Sequence, residues 1–180
     1  MVYVLLGTGF EEVEAIAPID IMRRAGIDVL SVGVTGKTVF GGHGIGVEAD
    51  ILVEEMDLTN LEMIVLPGGL GGVASARACP AAMNALQFAW ENGKFVAAIC
   101  AGPTVLADLH ITDNRQTTCY PSCADSMANA HLLSDAACVR DGNLITGTSA
   151  GCAIPFGLAL VEALKGADTA KTIAAQIVIR

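Results

Sequence analysis

The sequence predicts an α/β fold in which a mostly parallel sheet is the middle layer of a three-layer α/β/α sandwich. Short apolar runs alternate with stretches of helical periodicity, three of these runs end in glycine-containing turns, and only 4% of the residues are aromatic. Alternating strands and helices favour right-handed βαβ crossovers, which place helices on both faces of a parallel sheet. We therefore expect a flavodoxin-like topology.

Strands and helices are predicted from two different spacings of apolar residues. The predicted strands are short apolar runs, and they cover residues 2–6, 28–34, 63–66, 95–99, 116–119, 136–139 and 143–145. The predicted helices have apolar residues at helical spacing, and they cover residues 11–25, 80–92, 103–109, 153–164 and 169–177. Gly26 and Gly93 end two of these helices, and the glycine-rich residues 38–47 predict a hairpin.

Length and charge exclude several classes of protein. The 180 residues fit one domain, residues 1–180, which is long enough to bury a sizeable core. The net charge is −9, and no basic cluster could follow a phosphate backbone. The apolar runs stop well before the ~20 residues of a membrane span, and the N-terminus lacks the basic segment of a signal peptide. We expect a cytoplasmic protein that binds neither nucleic acid nor membrane.

Cysteine spacing argues against a disulfide framework and against a metal site. The six cysteines contain no CxxC pair, so reduced thiols are expected in a cytoplasmic protein. Cys119 and Cys123 could ligate a metal, but no second Cys/His pair follows at a finger-like spacing. We therefore expect no bound metal.

Three glycine-containing segments follow predicted strands and mark the expected site. They are Gly7-Thr8-Gly9, Pro67-Gly68-Gly69 and Cys100-Ala101-Gly102, and ligands of such sheets bind beyond the carboxyl ends of strands. The first segment is not a dinucleotide motif, because Glu12 replaces its third glycine and Glu11 adds a second carboxylate that would repel a pyrophosphate. No nucleotide or other cofactor is expected.

Cys100 stands where the apolar run 95–99 ends and small residues begin. Ala101-Gly102 permit the sharp strand-to-helix turn of a nucleophile elbow. The dipole of the following helix predicts a lowered pKa for the thiol. A buried, inert cysteine is the alternative, and the neighbouring glycine-containing segments favour the nucleophile.

Glu14 is the acidic residue that best fits a chemical role. Pro18 cannot donate a hydrogen bond to the carbonyl of Glu14, which predicts a kink in the helix there. Glu14 is then either a solvated acid or one held inward for chemistry. If it meets Cys100, the two groups share a proton, with Glu14 protonated beside a thiolate.

Two further groups of residues are weighed for the site. Backbone amides of Gly68, Gly69 and Ala101 could receive an oxyanion. The histidines lie in predicted loops, where surface positions are expected, and they are His43, His110 and His131.

Four ordered motifs resemble the ThiJ/PfpI superfamily. They are VLLGTGFEEVEAIAPIDIMRRAG at 4–26, VLPGG at 65–69, AAICAGPTVLA at 97–107 and FGLALVEAL at 156–164. The resemblance spans nearly the whole chain and is closest to the branch of the Parkinson's-disease protein DJ-one and its bacterial relatives. It implies the same α/β fold.

The resemblance also implies roles for individual residues. Cys100 resembles the oxidisable elbow cysteine of the family, Glu14 its protonated partner, and Gly68 and Gly69 the glycines on the oxyanion side. Members are typically homodimers, and Asp20 and Arg24 match dimer-lining positions. The family activities are cofactor-free conversion of glyoxal or methylglyoxal to a 2-hydroxy acid, protein deglycation, redox sensing and chaperone action.

The chain departs from close relatives around the expected site. Cys119 stands where they carry a histidine after a Thr-Thr pair, although Tyr120-Pro121 resembles other relatives that lack it. His43 stands at the position where the family has an arginine that reaches in from the partner subunit. Where many relatives read Gly-Pro-Gly, this chain has residues 149–152, which end in a second thiol. The further site-lining residues expected on this basis are Cys119, Tyr120, Gly147, Ala150 and Cys152.

Three functions are compatible with these residues. The first is a glyoxalase or deglycase whose Cys100 thiolate attacks a small reactive aldehyde while Glu14 moves protons. The second is an oxidative-stress sensor or redox-regulated chaperone that acts through oxidation of Cys100. The third, a cysteine peptidase or amidotransferase, is disfavoured because Ala101 replaces the histidine that follows the peptidase cysteine and no His-x-Glu pattern is present.

Overall fold

A central sheet with helices on both faces organises residues 1–179, the part of the chain that the computed structural model describes. The strands are β1 Val2–Leu6, β2 Val29–Gly33, β3 Thr38–Phe40, β4 Gly46–Glu48, β5 Ile51–Leu52, β6 Met63–Leu66, β7 Phe95–Ile99, β8 Gln116–Thr117, β9 His131–Leu132, β10 Cys138–Asp141 and β11 Leu144–Gly147. The helices are α1 Glu12–Arg24, α2 Leu70–Arg77, α3 Pro80–Glu91, α4 Pro103–Asp108, α5 Ala153–Lys165 and α6 Ala167–Gln176. None of these described helices combines the length and the apolar character that crossing a membrane requires.

Seven strands form the central sheet in the spatial order β10-β11-β7-β6-β1-β2-β5. Neighbouring strands are parallel except β10 and β11, which form an antiparallel pair at one edge. Strands β3 and β4 make a separate antiparallel hairpin, and β8 and β9 make a short parallel pair. The flavodoxin-like α/β fold predicted from the sequence is confirmed.

Alternate residues of β1 face two apolar cores, one on each side of the sheet. Val2, Val4 and Leu6 pack against residues of α1, α5 and α6. Tyr3 and Leu5 face the opposite side, where residues of α2, α3 and α4 cover them. Both faces are thus buried, which explains why the strands appear in the sequence as continuous apolar runs.

Helix α2 is the main element that the sequence does not predict. Its first turn contains Gly71 and Gly72, and glycine has a low helix propensity. A Cβ atom on Gly72 would lie 2.7 Å from the Cα atom of Phe10, so close packing against the turn after β1 requires glycine there. Tertiary packing therefore overrides local propensity in this helix.

The carboxyl ends of β1, β6 and β7 meet at one edge of the sheet because these strands are neighbours. The three glycine-containing segments are therefore brought together. Gly9 and Gly69 have φ angles of 83° and 84°, and a Cβ atom on Gly69 would clash with the carbonyl oxygen of Gly9. The close approach of these two turns forms one wall of a cavity.

Candidate active site

A cavity of about 400 Å³ lies at this edge of the sheet. Its walls come from the turns after β1, β6, β7 and β11 and from a 3-10 turn that follows β8. The lining residues are Glu11, Glu14, Gly69, Leu70, Cys100, Ala101, Tyr120, Ser122, Cys123, Ser149, Ala150 and Gly151. The cavity has the size of a small-molecule site.

Cys100 occupies a sharp turn between β7 and α4. Its φ angle is 64°, in the left-handed region that a non-glycine residue rarely adopts. Two backbone hydrogen bonds hold it: the Cys100 N–H donates to the Gly147 carbonyl, and the Cys100 carbonyl accepts from the Tyr120 N–H, each at 2.9 Å. Such strain costs on the order of 1–3 kcal/mol and persists where the surrounding structure enforces it. This is the turn geometry that a nucleophile elbow requires.

The Glu14 carboxyl group is fully buried beneath the cavity. Its Oε2 atom accepts a hydrogen bond from the Gly68 N–H at 2.9 Å. Its Oε1 atom has no hydrogen-bond partner among residues 1–179. An ionised carboxylate is therefore poorly compensated, and burial raises the pKa of Glu14 to about 7, although the neighbouring Cys100 thiol and the hydrogen bond from Gly68 act to lower it.

The side chains of Glu14 and Cys100 form a coupled pair. The pKa of the Cys100 thiol is raised to about 12, mainly by burial and next by the neighbouring Glu14 carboxylate. The lowered thiol pKa predicted from the helix dipole is wrong, because desolvation and a like charge outweigh a helix of only six residues. A thiolate at Cys100 is accordingly favoured only when Glu14 holds the proton, so one proton is exchanged within the pair.

Gly68 lies at the point where the site converges. A Cβ atom there would lie 2.5 Å from Glu14 Oε2, 2.7 Å from Cys100 Cβ and 3.0 Å from the Ala101 nitrogen. The expectation that the Gly68 amide receives an oxyanion needs correction, because that N–H already binds Glu14. Gly69 and Ala101 both line the cavity, and the Ala101 N–H is directed at the Cys100 sulfur.

Tyr120, and not Cys119, faces the cavity. Cys119 is buried and lines a separate cavity of about 110 Å³ with Thr118 and Pro121, so its expected place in the site is wrong. The reason is geometric: successive side chains of an extended segment point to opposite sides. The Tyr120 N–H binds the Cys100 carbonyl, which sets this residue against the cysteine turn.

Gly147 and Cys152 also lie outside the cavity lining. Gly147 is buried in β11, where it supports Cys100 through its carbonyl group. The pKa of the Cys138 thiol is raised to about 12. Burial is the larger cause, and the nearby Cys152 adds to it. The expected second thiol of the 149–152 segment is therefore not at the site, whereas Ala150 is.

Several lining residues are not among those predicted from the sequence. They are Glu11, Leu70, Ser122, Cys123, Ser149 and Gly151. Leu70 immediately follows one glycine-containing segment and Glu11 lies two residues after another, and this position is a signal that could have found them. Ser122 and Cys123 belong to the short 3-10 turn Pro121–Ser126, which has no periodicity to detect.

The three residues expected at a dimer contact lie on the surface. Asp20 and Arg24 form an exposed ion pair at 2.7 Å on α1. The His43 Nδ1 atom lies 2.8 Å from Glu12 Oε2, and its backbone N–H donates to Glu12 Oε1. Burial would raise the pKa of Glu12, but these hydrogen bonds lower it to about 2.

The contacts of Glu12 and His43 anchor the β3–β4 hairpin to the start of α1. Together with Glu11, these residues form the one group of three or more in the described chain whose potential metal-ligand atoms lie within 4.8 Å of one another. The Glu12 carboxylate is already bound to the backbone and side chain of His43. The cluster is thereby explained as a loop anchor.

The fold and the site define an α/β protein with a strained cysteine beside a buried carboxyl group. The model of the DJ-1/PfpI family matches residues 1–163, and the chain belongs to that family. The sequence is 33% identical to Protein dj-1beta of Drosophila melanogaster over 98% of this chain and 95% of that protein. The crystal structure of Drosophila DJ-1beta superposes with a TM-score of 0.95 at 32% identity, covering 99% of this chain and 97% of that one.

Two other relatives bear on the chemistry. The chain is 30% identical to a protein named glutathione-independent glyoxalase DJR-1.2 of Caenorhabditis elegans, over 91% of this chain and 87% of that protein. It also resembles the structure of oxidized Toxoplasma gondii DJ-1, with a TM-score of 0.92 at 30% identity, covering 98% of this chain and 97% of that chain.

Replacing Glu14 by Gln should change how stability depends on pH. As pH rises from 4.5 to about 7, unfolded wild-type chains lose the Glu14 proton while folded chains keep it, so the free energy of unfolding falls. Glutamine cannot ionise. Above this window Glu14→Gln should gain up to about 3 kcal/mol relative to wild type, measured by urea unfolding across the pH range. Glu48→Gln, at an exposed position, is the control, and parallel wild-type and Glu14→Gln curves would contradict the shift.

Proposed function

We propose that the protein is a cofactor-independent glyoxalase or deglycase that converts small 2-oxoaldehydes such as methylglyoxal to 2-hydroxy acids. The observation that carries the proposal is the Cys100–Glu14 pair, a nucleophile and a proton carrier held together at the wall of one cavity. The name of the Caenorhabditis elegans relative supports it.

The proposed reaction uses the shared proton. Glu14 takes the Cys100 proton, and the sulfur attacks the aldehyde carbon, whose oxygen becomes negatively charged. Glu14 then passes the proton to that oxygen, which gives a hemithioacetal and leaves Glu14 ionised. The amide of Gly69 is available for the oxygen that becomes negatively charged, and the Ala101 N–H, directed at the Cys100 sulfur, lies beside it. Both residues line the cavity beside the cysteine.

Glu14 then moves protons between two adjacent carbon atoms. It removes the proton from the carbon bonded to sulfur, which gives an enediolate, and returns that proton to the neighbouring carbon, while the hydroxyl proton moves from the first oxygen to the second. The product is a thioester of the 2-hydroxy acid. Water cleaves the carbon–sulfur bond, which releases the acid and restores the thiol. A carboxyl group with a pKa of about 7 suits both directions of transfer.

Tyr120 stands in the cavity, and no histidine lines it among residues 1–179. Histidine is the commonest acid–base group, and such help is worth roughly 10²–10⁴-fold in rate. We therefore expect a slower enzyme than relatives that carry the histidine. The same lining gives no support to a cysteine peptidase or an amidotransferase, both of which need a base beside the sulfur.

Lactate formation from methylglyoxal tests the enzyme directly. Cys100→Ser should abolish it, and Glu14→Gln should lower the rate by about 10²–10⁴-fold because proton transfer is lost. Both D- and L-lactate should be measured on reduced protein at matched concentration. Cys79→Ser is the matched control, because serine is favoured at the start of α3, where Cys79 stands outside the cavity.

The outcomes separate the two leading functions. Lactate that disappears with Cys100→Ser and persists with Cys79→Ser supports the enzyme. No lactate from the wild type, or full activity in Cys100→Ser, would overturn it. Absence of lactate from the wild type would make oxidation of Cys100 the leading function.

The charge of the cavity predicts which aldehydes react. The charged groups of its lining are the carboxyl groups of Glu11 and Glu14, with no basic side chain among the described residues. Methylglyoxal should therefore react with a higher kcat/KM than a 2-oxoaldehyde that carries a carboxylate tail. Glu11→Gln should lower the ratio of the two kcat/KM values by about fivefold. Two negative charges ~4 Å apart repel each other by about 1 kcal/mol in water, and this substitution removes one of them. An unchanged ratio of the two kcat/KM values would contradict this role of Glu11.

An oxidative-stress role is the second candidate function, in which oxidation of Cys100 signals stress or switches on chaperone action. It needs only an accessible thiol that oxidises ahead of the others. The half-buried Cys100 and the Glu14 carboxyl group beside it would suit an oxidised sulfur that accepts a hydrogen bond. The oxidized Toxoplasma gondii structure supports this alternative. The cytoplasm is the compartment we propose, because its reducing conditions keep cysteines as thiols.

We propose that the protein forms a homodimer through one face of α1. Val13 and Ile16 on α1 and Ile154 at the start of α5 are 43%, 42% and 41% exposed. Ile154 lines a shallow surface depression together with Asp20 and Arg24. A stable dimer would bury these apolar side chains, whose exposure is otherwise unfavourable.

Ile16→Glu should therefore disrupt the dimer, because it would bury a carboxylate without a partner. Size-exclusion chromatography with light scattering should give a dimer for the wild type and a monomer for Ile16→Glu. Leu133→Glu, at a position that is 41% exposed outside this face, should stay dimeric. A monomeric wild type would contradict the proposal.

A further inference from the structure

A second thiol shares the cavity with Cys100. Cys123 is half-buried and lines the same cavity. Two backbone hydrogen bonds connect the two residues: the Tyr120 N–H donates to the Cys100 carbonyl at 2.9 Å, and the Cys123 N–H donates to the Tyr120 carbonyl at 2.8 Å. The two cysteines are far apart in the chain, and these two hydrogen bonds through Tyr120 bring their segments together.

The other cysteines of the chain are placed differently. Cys119 is buried against a separate cavity, and Cys138 interacts with Cys152 away from the cavity lining. Cys79 directly precedes α3 and does not line the Cys100 cavity. Within residues 1–179, Cys123 is therefore the thiol that shares the Cys100 cavity.

A negative charge on Cys123 also acts on Cys100, as it does on Cys119. Burial and Glu14 are the main causes of the raised pKa of Cys100, and a negative charge on Cys123 adds to them. A disulfide needs Cα atoms within about 7 Å of each other. The segment that carries Cys123 is well suited to the adjustment, because the turn Pro121–Ser126 contains no buried residue.

We propose that Cys123 is a resolving cysteine, which captures Cys100 as an intramolecular disulfide after a hydroperoxide has oxidised it. The proposal concerns chemistry on the same sulfur but does not depend on aldehyde turnover. It assigns a function to Cys123 that neither glyoxalase chemistry nor oxidation of Cys100 alone requires.

The chemistry proceeds in two balanced steps. The Cys100 sulfur attacks one oxygen of the hydroperoxide, the O–O bond breaks, and an alcohol or water leaves with the thiol proton. Cys100 becomes a sulfenic acid, oxidised by two electrons, while the peroxide is reduced. The Cys123 sulfur then attacks the sulfenic sulfur, the S–S bond forms, the S–O bond breaks, and the hydroxide leaves as water with the Cys123 proton. A dithiol reductant restores both thiols.

This step would protect the reactive sulfur. Without a resolving thiol, a sulfenic acid exposed to more peroxide proceeds to sulfinic acid, which ordinary thiols do not reduce. Disulfide formation stops that progression and withdraws Cys100 from other chemistry until it is reduced. The chain would then switch reversibly under oxidative stress.

Peptide mapping after peroxide treatment tests the proposal. Fully reduced protein is treated with a small excess of hydrogen peroxide, the free thiols are blocked with an alkylating reagent, and the digest is analysed without reductant. We expect a cross-linked peptide that contains Cys100 and Cys123 and disappears on treatment with dithiothreitol. In Cys123→Ser we expect loss of that peptide, capture of the sulfenic acid by dimedone, and more sulfinic acid on Cys100.

Cys119→Ser is the matched control, because it removes a neighbouring thiol that faces another cavity. It should form the Cys100–Cys123 peptide as the wild type does. Two results would overturn the proposal. One is wild-type Cys100 converted directly to sulfinic acid while Cys123 is recovered as a free thiol, blocked by the alkylating reagent. The other is a disulfide that joins other cysteines. These readouts need no substrate, so their failure is distinct from a failure to form lactate.

Discussion

The hydrogen bond from the Gly68 amide to the Glu14 carboxyl group is the interaction on which the site depends. It ties the turn after β6 to α1 and holds a fully buried acid against the cysteine turn. The space for it exists only because residue 68 is glycine, since a Cβ atom would overlap Glu14 and Cys100. Three chain segments are thereby fixed around one proton.

Burial is the reason that Glu14 and Cys100 share this proton. Two acidic groups that are both desolvated cannot both ionise at low cost, so the proton moves between sulfur and oxygen. The raised pKa values of Glu14 and Cys100 have this common origin. The same arrangement suits both reactions that we propose: an aldehyde needs a proton returned to carbon, and a peroxide needs the sulfur as nucleophile.

The 3-10 turn after β8 connects these two kinds of chemistry. Tyr120, which directly precedes the turn, lines the cavity in place of the expected Cys119, and Cys123 brings a thiol to the same wall. A cavity lining without histidine among residues 1–179, together with a second thiol, favours the reversible oxidation that we propose. The turn that carries Cys123 has no buried residue, in contrast to the strained cysteine turn that it borders.

The sequence by itself determined the layered α/β fold, the order of its main elements, and the candidates Cys100 and Glu14, because apolar periodicity and glycine punctuation are local signals. Only the tertiary structure decided which groups meet. Neighbouring strands in the sheet are distant in the chain, so contact between Glu14 and Cys100 depends on the crossovers. The side on which Cys119 or Tyr120 points, the partner of the Gly68 amide and the direction of the Cys100 pKa shift likewise depend on packing and desolvation, which no local pattern encodes.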